Sequence, residues 1–499
     1  MNLLGYHMRL LLCLLFSTTS TKGYINAHEP ARPNIILVVA DDLGFSDLGC
    51  YGGEINTPHL DDMAEEGIRF KQFYNGGVCV VTRAMMMTGL YARMGQGRLL
   101  KSNMVTLGEV LGAEGYKTIL SGKWHLGGSP TRPVDRGFDE YYGAMIGAIN
   151  FFDPTQEDPS FVNHSGPDKP FVRNGEVIEK VEEPYYATDA TTDFAIEQIN
   201  GCVKAKQPFF LHVAYNAPHY PLQALPEDIR KYRGRYDSGY EELRKARYER
   251  LVEMGIIDKE WPLPPTDKKL GDFRYDLEVE PWSAVNQRWQ SQLMEVYAGM
   301  VDRLDQNIGR LLNHLEALQI DSNTMVIFFS DNGGCASMVK DEDFEDYLSY
   351  HLGKELGGKD TYALCGPGWA SAQSSPFRRY KVWTYEGGIS TPMIVKWPGK
   401  IRGGTWTNEI AHVVDLMPTF MEVSGAEYPG KVQDEEIIPL EGKSMMSILL
   451  GDQISGDREM AWYLYGSRAY RQGKWKVVWG TTRRQWELYN METNRTESK

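Results

Sequence analysis

The strongest constraint on this chain is a repeated local form, an uninterrupted apolar run that stops abruptly at acidic, amide or basic side chains. Asn34-Ile35-Ile36-Leu37-Val38-Val39-Ala40 runs straight into Asp41-Asp42, and Met325-Val326-Ile327-Phe328-Phe329-Ser330 into Asp331-Asn332. Phe209-Phe210-Leu211-His212-Val213 leads to Asn216-Ala217-Pro218-His219, Thr118-Ile119-Leu120 to Lys123-Trp124-His125, and Met393-Ile394-Val395 is a fifth run. Runs of this kind have no polar face, so each reads as a strand covered on both sides. Helical patterns lie between them, for example over residues 107–113 and 293–318, where apolar residues recur every three or four positions. Strands alternating with helices predict an α/β fold with a large, mostly parallel (mixed) sheet flanked by helices. In such a fold the polar clusters gather at the carboxyl edge of the sheet, where ligands bind.

The chain has 499 residues, room for two or three domains. Its net charge of −14 argues against general nucleic-acid binding, which needs a basic footprint. Six cysteines are too few for a disulfide scaffold. Arg9, the apolar stretch 10–16 and the small polar stretch 17–23 have the order of a secretory signal peptide. That stretch falls far short of the roughly 20 residues that span a bilayer. Residues 1–23 therefore read as a signal peptide on an exported protein with no membrane span. Its removal takes Cys13 and leaves an odd number of cysteines, so one is free or has another task. The α/β domain is expected over 31–440, with 225–285, rich in charge, Tyr and Pro, as an irregular insertion. Beyond it, Trp462-Tyr463-Leu464-Tyr465 and Lys474-Trp475-Lys476-Val477-Val478-Trp479 alternate around an Arg471-Gln472-Gly473 turn. This predicts a small C-terminal domain over 441–499 built on an antiparallel sheet.

The strand ends carry the chemistry. Asp41, Asp42, Asp331 and Asn332 offer oxygen donors only, a set suited to a hard cation such as Ca²⁺ or Mg²⁺. Cys79 lies in Asn75-Gly76-Gly77-Val78-Cys79-Val80-Val81-Thr82-Arg83, just ahead of a Met-rich helix expected to begin near Thr82. A cysteine at a helix start beside Arg83 is expected to have a lowered thiol pKa and an anion site around it. Lys123, His125, His219 and Lys381 add cations and imidazoles that can clamp an anion and move protons.

The ordered set resembles the type I, formylglycine-dependent sulfatases of the alkaline-phosphatase-like superfamily, most closely the arylsulfatase branch. The matching stretches are Pro33-Asn34-Ile35-Ile36-Leu37-Val38-Val39-Ala40-Asp41-Asp42-Leu43-Gly44, Asn56-Thr57-Pro58-His59-Leu60-Asp61, Gly122-Lys123-Trp124-His125-Leu126-Gly127, Asn216-Ala217-Pro218-His219, Ser330-Asp331-Asn332-Gly333-Gly334 and Glu386-Gly387-Gly388-Ile389. Glu295-Val296-Tyr297-Ala298-Gly299-Met300-Val301-Asp302 and Trp486-Glu487-Leu488-Tyr489-Asn490 also match. They run in family order from residue 33 to the C-terminus.

The resemblance implies an alkaline-phosphatase-like fold and a sulfuric ester hydrolase. Cys79 and Arg83 match a Cys-x-Pro/Ala-x-Arg motif whose cysteine a formylglycine-generating enzyme converts to formylglycine, and the hydrated aldehyde is the nucleophile. Asp41, Asp42, Asp331 and Asn332 would hold one Ca²⁺ together with the modified residue 79. Arg83 would orient the hydrate, while Lys123, His125, His219 and Lys381 surround the sulfate. His219 or Lys381 would protonate the leaving alcohol, and His125 would take the proton that lets sulfate depart. The substrate would be an aryl sulfate or a sulfated saccharide. The compartment would be periplasmic or extracellular, or lysosomal or secretory in a eukaryote. Val81 departs from the usual Pro or Ala of the motif. The chain stops soon after Glu487-Leu488-Tyr489, where family members run on, so the C-terminal domain reads as truncated. Two other readings use the same residues: a phosphate or phosphonate ester hydrolase on this fold, and a non-catalytic binder of sulfated glycans with Cys79 left as a thiol.

Overall fold

The computed structural model describes residues 32–498 apart from 93–98, 160–169, 270–275, 338, 340–342, 433, 455–457 and 481–483. The signal-peptide reading of 1–23 lies outside the described residues. The large sheet is built from β1 (Asn34–Ala40), β2 (Ile68–Tyr74), β3 (Lys117–Gly122), β4 (Glu140–Ala144), β5 (Phe171–Arg173), β6 (Glu176–Val177), β7 (Phe209–Ala214), β8 (Thr324–Ser330), β9 (Met393–Lys396) and β10 (Thr405–His412). Across the sheet the order is β10-β2-β9-β8-β1-β7-β3-β4-β5-β6. The central block β8-β1-β7-β3-β4 is parallel throughout, while β9 runs antiparallel to both its neighbours. The sheet is therefore mixed but mostly parallel at its centre.

The reason for the continuous apolar runs is visible in β1. Ile35, Leu37 and Val39 enter one core, and Ile36, Val38 and Ala40 enter the other. The first core is closed by helices Cys79–Thr88, Leu107–Ala113 and Leu416–Ser424. The second is closed by helices Pro58–Glu65, Ala187–Ala205 and Gln287–Ala317. With apolar cover on both faces, a polar residue inside these strands would have to find a buried partner. His212, inside β7, finds one in Leu37 O at 3.0 Å, and the site's charged groups stand beyond the strand ends.

After a two-residue pairing of β11 (Lys431–Val432) with β12 (Glu435–Glu436), the chain forms a second, four-stranded antiparallel sheet. Its strands are β13 (Glu459–Leu464), β14 (Ser467–Gln472), β15 (Trp475–Gly480) and β16 (Gln485–Asn490), in sequence order. Met460, Trp462, Leu464, Ala469 and Val478 of its inner face join the first core of the large sheet.

Segment 225–285 departs from the expectation of an irregular insertion. It contains helices Pro226–Arg230 and Gly239–Glu253 and a short 3-10 turn at Trp282–Ala284. The longer helix has no apolar stripe to betray it, because it docks through buried charge. Arg247 is fully buried and donates to Asp47 at 2.6 Å and Glu54 at 2.8 Å. Asp47 also accepts from Gly44 N and from the Tyr297 hydroxyl, each at 2.7 Å, and so anchors the loop that leaves β1. Replacing Arg247 by Met should leave Asp47 a buried carboxylate without a counter-charge and Glu54 with Arg250 alone at 3.4 Å. The expected loss is about 3–5 kcal/mol in the first urea transition, with Arg247→Lys falling between. An unchanged transition in Arg247→Met would contradict this anchoring role.

Candidate active site

Four adjacent parallel strands bring the site together by their register. Ala40 pairs with Ser330, Val39 with Ala214, and Gly122 with Ala214, so the residues that follow emerge side by side. Backbone bonds extend the ladder past the strands. Asp331 N donates to Ala40 O at 3.1 Å, Asp41 N to Ala217 O at 3.1 Å, and Lys123 N to Ala214 O at 2.7 Å. The Asp41, Asp331, Asn332 and Lys123 side chains are fully buried there, with Asp42 almost so.

Cys79 arrives from a different direction. β2 ends at Tyr74, Asn75-Gly76-Gly77-Val78 turns the chain, and Cys79 opens the helix Cys79–Thr88. The helix thus begins three residues ahead of the expected Thr82. Thr82 pins this start, its hydroxyl accepting from Gly76 N at 2.9 Å and donating to Asp331 O at 2.6 Å. Val81 is buried and faces Gly76, where a Cβ would stand 2.8 Å from its Cγ1.

Lys381 is delivered by a tight loop with two non-glycine residues in the left-handed region, Arg379 at φ 63° and Val382 at φ 73°. For a β-branched residue such as Val382 that conformation is strained. The loop lies directly over Gly387 and Gly388. A Cβ on Gly387 would meet Arg379 O at 2.1 Å, and one on Gly388 would meet Trp383 O at 2.1 Å. The Glu386-Gly387-Gly388 motif is in part a requirement for this close backbone approach.

These elements join all the site residues named from the sequence into one cluster. Arg83 donates from Nε and Nη2 to Asp331 Oδ2 at 3.1 and 2.9 Å and from Nη1 to Lys123 O at 3.0 Å. Lys123 Nζ is paired with Asp41 Oδ2, and Lys381 Nζ with Asp42 Oδ1 at 2.6 Å. Asn332 Nδ2 also donates to Asp42 Oδ1, at 2.7 Å. His219 donates from Nδ1 to Tyr220 O at 2.8 Å and turns Nε2 toward Asp42 Oδ2 at 3.4 Å. His125 Nδ1 stands 3.4 Å from Cys79 Sγ.

Three buried oxygens in this cluster accept no hydrogen bond: Asp41 Oδ1, Asp42 Oδ2 and Asn332 Oδ1. Ligating atoms of Asp41, Asp42 and His219 lie within 4.8 Å of one another. Buried oxygens without a donor are costly, and a hard divalent cation satisfies such a set. The residues therefore fit a cation held by Asp41, Asp42 and Asn332. Asp331 stands differently, its Oδ2 committed to Arg83 and its Oδ1 accepting from Asp42 N at 3.3 Å.

Burial and neighbouring charge set the proton states. Burial opposes ionisation of Asp41, but Lys123, His219, Arg83 and Lys381 outweigh it and hold its carboxyl below the usual range. For Asp42 burial is likewise overcome, mainly by His219 and Lys381. Burial and then the Asp41 charge push Asp331 upward. Burial, then Lys123 and Arg83, depress His125 well below its ordinary value, and burial brings His219 down to about 4. Lys381 is raised well above its ordinary value because Asp42 overcomes the cost of burial.

The unmodified Cys79 thiol corrects the expectation of a lowered pKa. It is raised, because burial outweighs the pull of Lys123 and Lys381, and the Arg83 guanidinium is spent on Asp331 and Lys123 O. Three supporting residues carried no sequence signal of their own. Asp47 anchors the β1 loop as described, Gln373 O accepts from Ser46 N at 3.2 Å, and Cys335 shares a small recess with Asp42, Tyr297 and Cys365. Only the position of Cys335 directly after Gly333-Gly334 could have drawn attention to it.

The sulfatase family profile matches residues 33–426, and a profile for the C-terminal part of N-sulphoglucosamine sulphohydrolase matches 378–499. An uncharacterized sulfatase of Schizosaccharomyces pombe is 32% identical over 514 residues, covering 94% of this chain and 90% of its own. An arylsulfatase of Klebsiella aerogenes is 31% identical over 453 residues, covering 85% and 94% respectively. Among solved structures, Ps i-CgsB in complex with k-i-k-neocarrahexaose superposes with a TM-score of 0.63 at 27% identity, covering 92% of this chain and 86% of that one.

If Cys79 is left as a thiol, its raised pKa gives little thiolate at neutral pH. Peptide-resolved alkylation with iodoacetamide at pH 7 should label it at least about tenfold more slowly in the folded protein than in urea. Equal rates would contradict the buried, protonated thiol described here.

Proposed function

This chain belongs to the sulfatase family and is a sulfuric ester hydrolase; we propose that it works through a formylglycine made from Cys79 and a Ca²⁺ held by Asp41, Asp42 and Asn332, with sulfated saccharides as its natural substrates. The observation that carries the proposal is the gathering of Lys123, Lys381 and His219 on Asp41 and Asp42, with His125 3.4 Å from the Cys79 sulfur, beside three buried oxygens that lack donors. The saccharide part is supported by the oligosaccharide in the Ps i-CgsB complex. Export, and maturation by a formylglycine-generating enzyme, belong to the same proposal and rest on the leader-like residues 1–23 and on Cys79 and Arg83.

When present, the formylglycine hydrate supplies the nucleophilic oxygen and Ca²⁺ offsets the charge of the sulfate. The chain's own groups do the rest. Lys123 and Lys381 face the non-bridging oxygens, where positive charge fixed in a buried site stabilises the transferring group. The proton states support one assignment of the acid and the base. His219 is neutral, with Nδ1–H spent on Tyr220 O, so its Nε2 carries no proton to give. Lys381 keeps its proton and is the donor to the leaving alcohol. His125, also neutral, sits 3.4 Å from the Cys79 sulfur and is the base for the hydroxyl proton at position 79. Arg83 and Asp331 hold the helix start against the sheet edge.

Turnover of nitrophenyl sulfate should exceed that of a nitrophenyl phosphate diester, and the reverse order would favour the phosphate or phosphonate reading. Lys381→Ala and Lys123→Ala should each lower kcat/KM by about 10²–10³-fold. A base with a depressed pKa stays unprotonated as the pH falls through the ordinary histidine range, so the acid limb of kcat/KM should lie below the ordinary value of 6.5. A limb above pH 6.5 would remove His125 from that role. Val81 favours a second reading, a sulfated-glycan binder with an unconverted cysteine. The mass of tryptic peptide 72–83 from a host with formylglycine-generating activity separates the two. An aldehyde at 79 supports the enzyme, whereas an intact thiol beside a converted Val81→Pro control supports the binder.

A further inference from the structure

The outer face of the C-terminal sheet is unlike an ordinary solvated strand surface. Tyr463 of β13, Tyr470 of β14, Trp475 of β15 and Trp486 and Leu488 of β16 are between 37% and 60% exposed. Cross-strand pairing makes the patch continuous: Arg468 is opposite Trp479, Tyr470 opposite Val477, Val477 opposite Leu488, and Trp479 opposite Trp486. The Trp479 and Trp486 rings are 5.5 Å apart. Rings on a hydrogen-bonded sheet are held in place and lose little freedom on binding.

Cations are interleaved with the rings. Arg468 lies 5.6 Å from the ring of Tyr463, and Lys474 lies 5.9 Å from that of Trp475. Neither has a carboxylate within 4 Å among the described residues, although the chain as a whole carries a net charge of −14. The acids nearby are engaged, Glu459 by Gln472 at 3.2 Å and Glu487 by Arg378 at 2.8 Å. Lys474 also belongs, with Gly473, to the wall of a cavity of about 570 Å³ at the β14–β15 turn. That wall sets Lys71, Lys443 and Arg458 against Glu409 and Glu492. None of these groups belongs to the reaction centre. At its other end the β13–β14 hairpin abuts the Cys79 segment, since a Cβ on Gly77 would touch Leu464 Cδ1 at 2.5 Å.

We propose that this aromatic face, together with the basic cavity at its β14–β15 turn, is a second, non-catalytic binding surface for a sulfated polysaccharide chain. The aromatic faces suit the apolar faces of sugar rings, and the unpaired cations suit sulfate groups. A second copy of this chain fits less well, because a two-fold contact over the patch would bring Arg468 and Lys474 near their own duplicates in a desolvated seam. The inference extends the sulfated-saccharide reading above. It supplies what an active site specific for a single sulfate ester lacks, a means of holding a polymer between hydrolytic events.

The test is affinity electrophoresis of the full protein through gels holding dextran sulfate, κ-carrageenan or chondroitin sulfate, with dextran, agarose and unsulfated chondroitin as controls. Nitrophenyl sulfate turnover and sedimentation are measured on the same samples. At least one sulfated polymer should retard the wild type selectively, and added salt should weaken that retardation, as for any binding that displaces counterions. Trp475→Ala/Trp486→Ala and Lys443→Glu/Lys474→Glu should each weaken it about tenfold, leaving kcat/KM for nitrophenyl sulfate unchanged. The proposal is overturned by retardation that ignores sulfation, by variants that bind as the wild type does, or by a dimer that the tryptophan substitutions dissolve. Selective retardation without any turnover supports this surface and counts only against the catalytic reading.

Discussion

The fold is organised around a cluster of buried charge at the carboxyl edge of the central strands. Asp41, Asp42 and Asp331 face Arg83, Lys123 and Lys381, all nearly or wholly out of water. Removing such ions from solvent costs several kcal/mol each, and their mutual attraction offsets this only when the geometry is good. The geometry comes from the strand ladder, which is rigid because both its faces are buried. Shifting β1 by one residue against β8 would exchange its two apolar faces and separate Asp41 from Asp331. Packing and site geometry are thus one constraint, and the register that fills the two cores also aligns the carboxylates.

A second buried network ties the C-terminal sheet to the loop carrying Lys381. Glu386 begins the turn under that loop and is held by Lys476 of β15 at 2.8 Å and by Arg495 at 2.9 Å. Lys476 also binds Glu497 at 2.7 Å, and Arg471 is paired with the Tyr74 hydroxyl, which donates to Glu386 at 2.8 Å. Burial opposes ionisation of Glu386, but Lys476, Arg495 and Arg471 bring its pKa down to about 2, so the carboxylate stays charged. The strained Val382 is then held between Gly77 O, which accepts its N–H at 2.8 Å, and a turn fixed from below by these ions. Residues more than a hundred positions beyond Lys381 help to hold it in place.

How much of this could be read in the sequence depends on the kind of interaction involved. Strands buried on both faces reveal themselves, since their only requirement is apolar continuity, and β1, β3, β7, β8 and β9 all stood out in that way. The period of the helix Gln287–Ala317 was equally plain, because one face meets the core and the other water. The helix Gly239–Glu253 was invisible, because Arg247 does the work an apolar stripe usually does. The proton state of Cys79 was misread for a related reason. Proximity of Arg83 in sequence suggested a stabilised thiolate, but Asp331, some 250 positions away, takes the guanidinium. Partners distant in sequence decide electrostatics, and no local pattern records them.

The separation of duties among the elements follows from the chemistry the site must perform. Adjacent strand ends hold the oxygens of Asp41, Asp42 and Asn332 at fixed spacing, the kind of array that suits a hard cation. Cys79 approaches that array from outside the ladder, opening a helix that springs from β2, which β9 and β8 separate from β1 in the sheet. The Thr82–Asp331 and Arg83–Asp331 bonds, with Arg83 Nη1 on Lys123 O at 3.0 Å, tie that helix start to the strand ends. Asp331 therefore joins the two halves, its carboxylate accepting from Arg83 and its backbone oxygen from the Thr82 hydroxyl. Its carboxylate and backbone oxygen fix the helix start that carries Cys79 against the strand ends that carry Asp41 and Lys123.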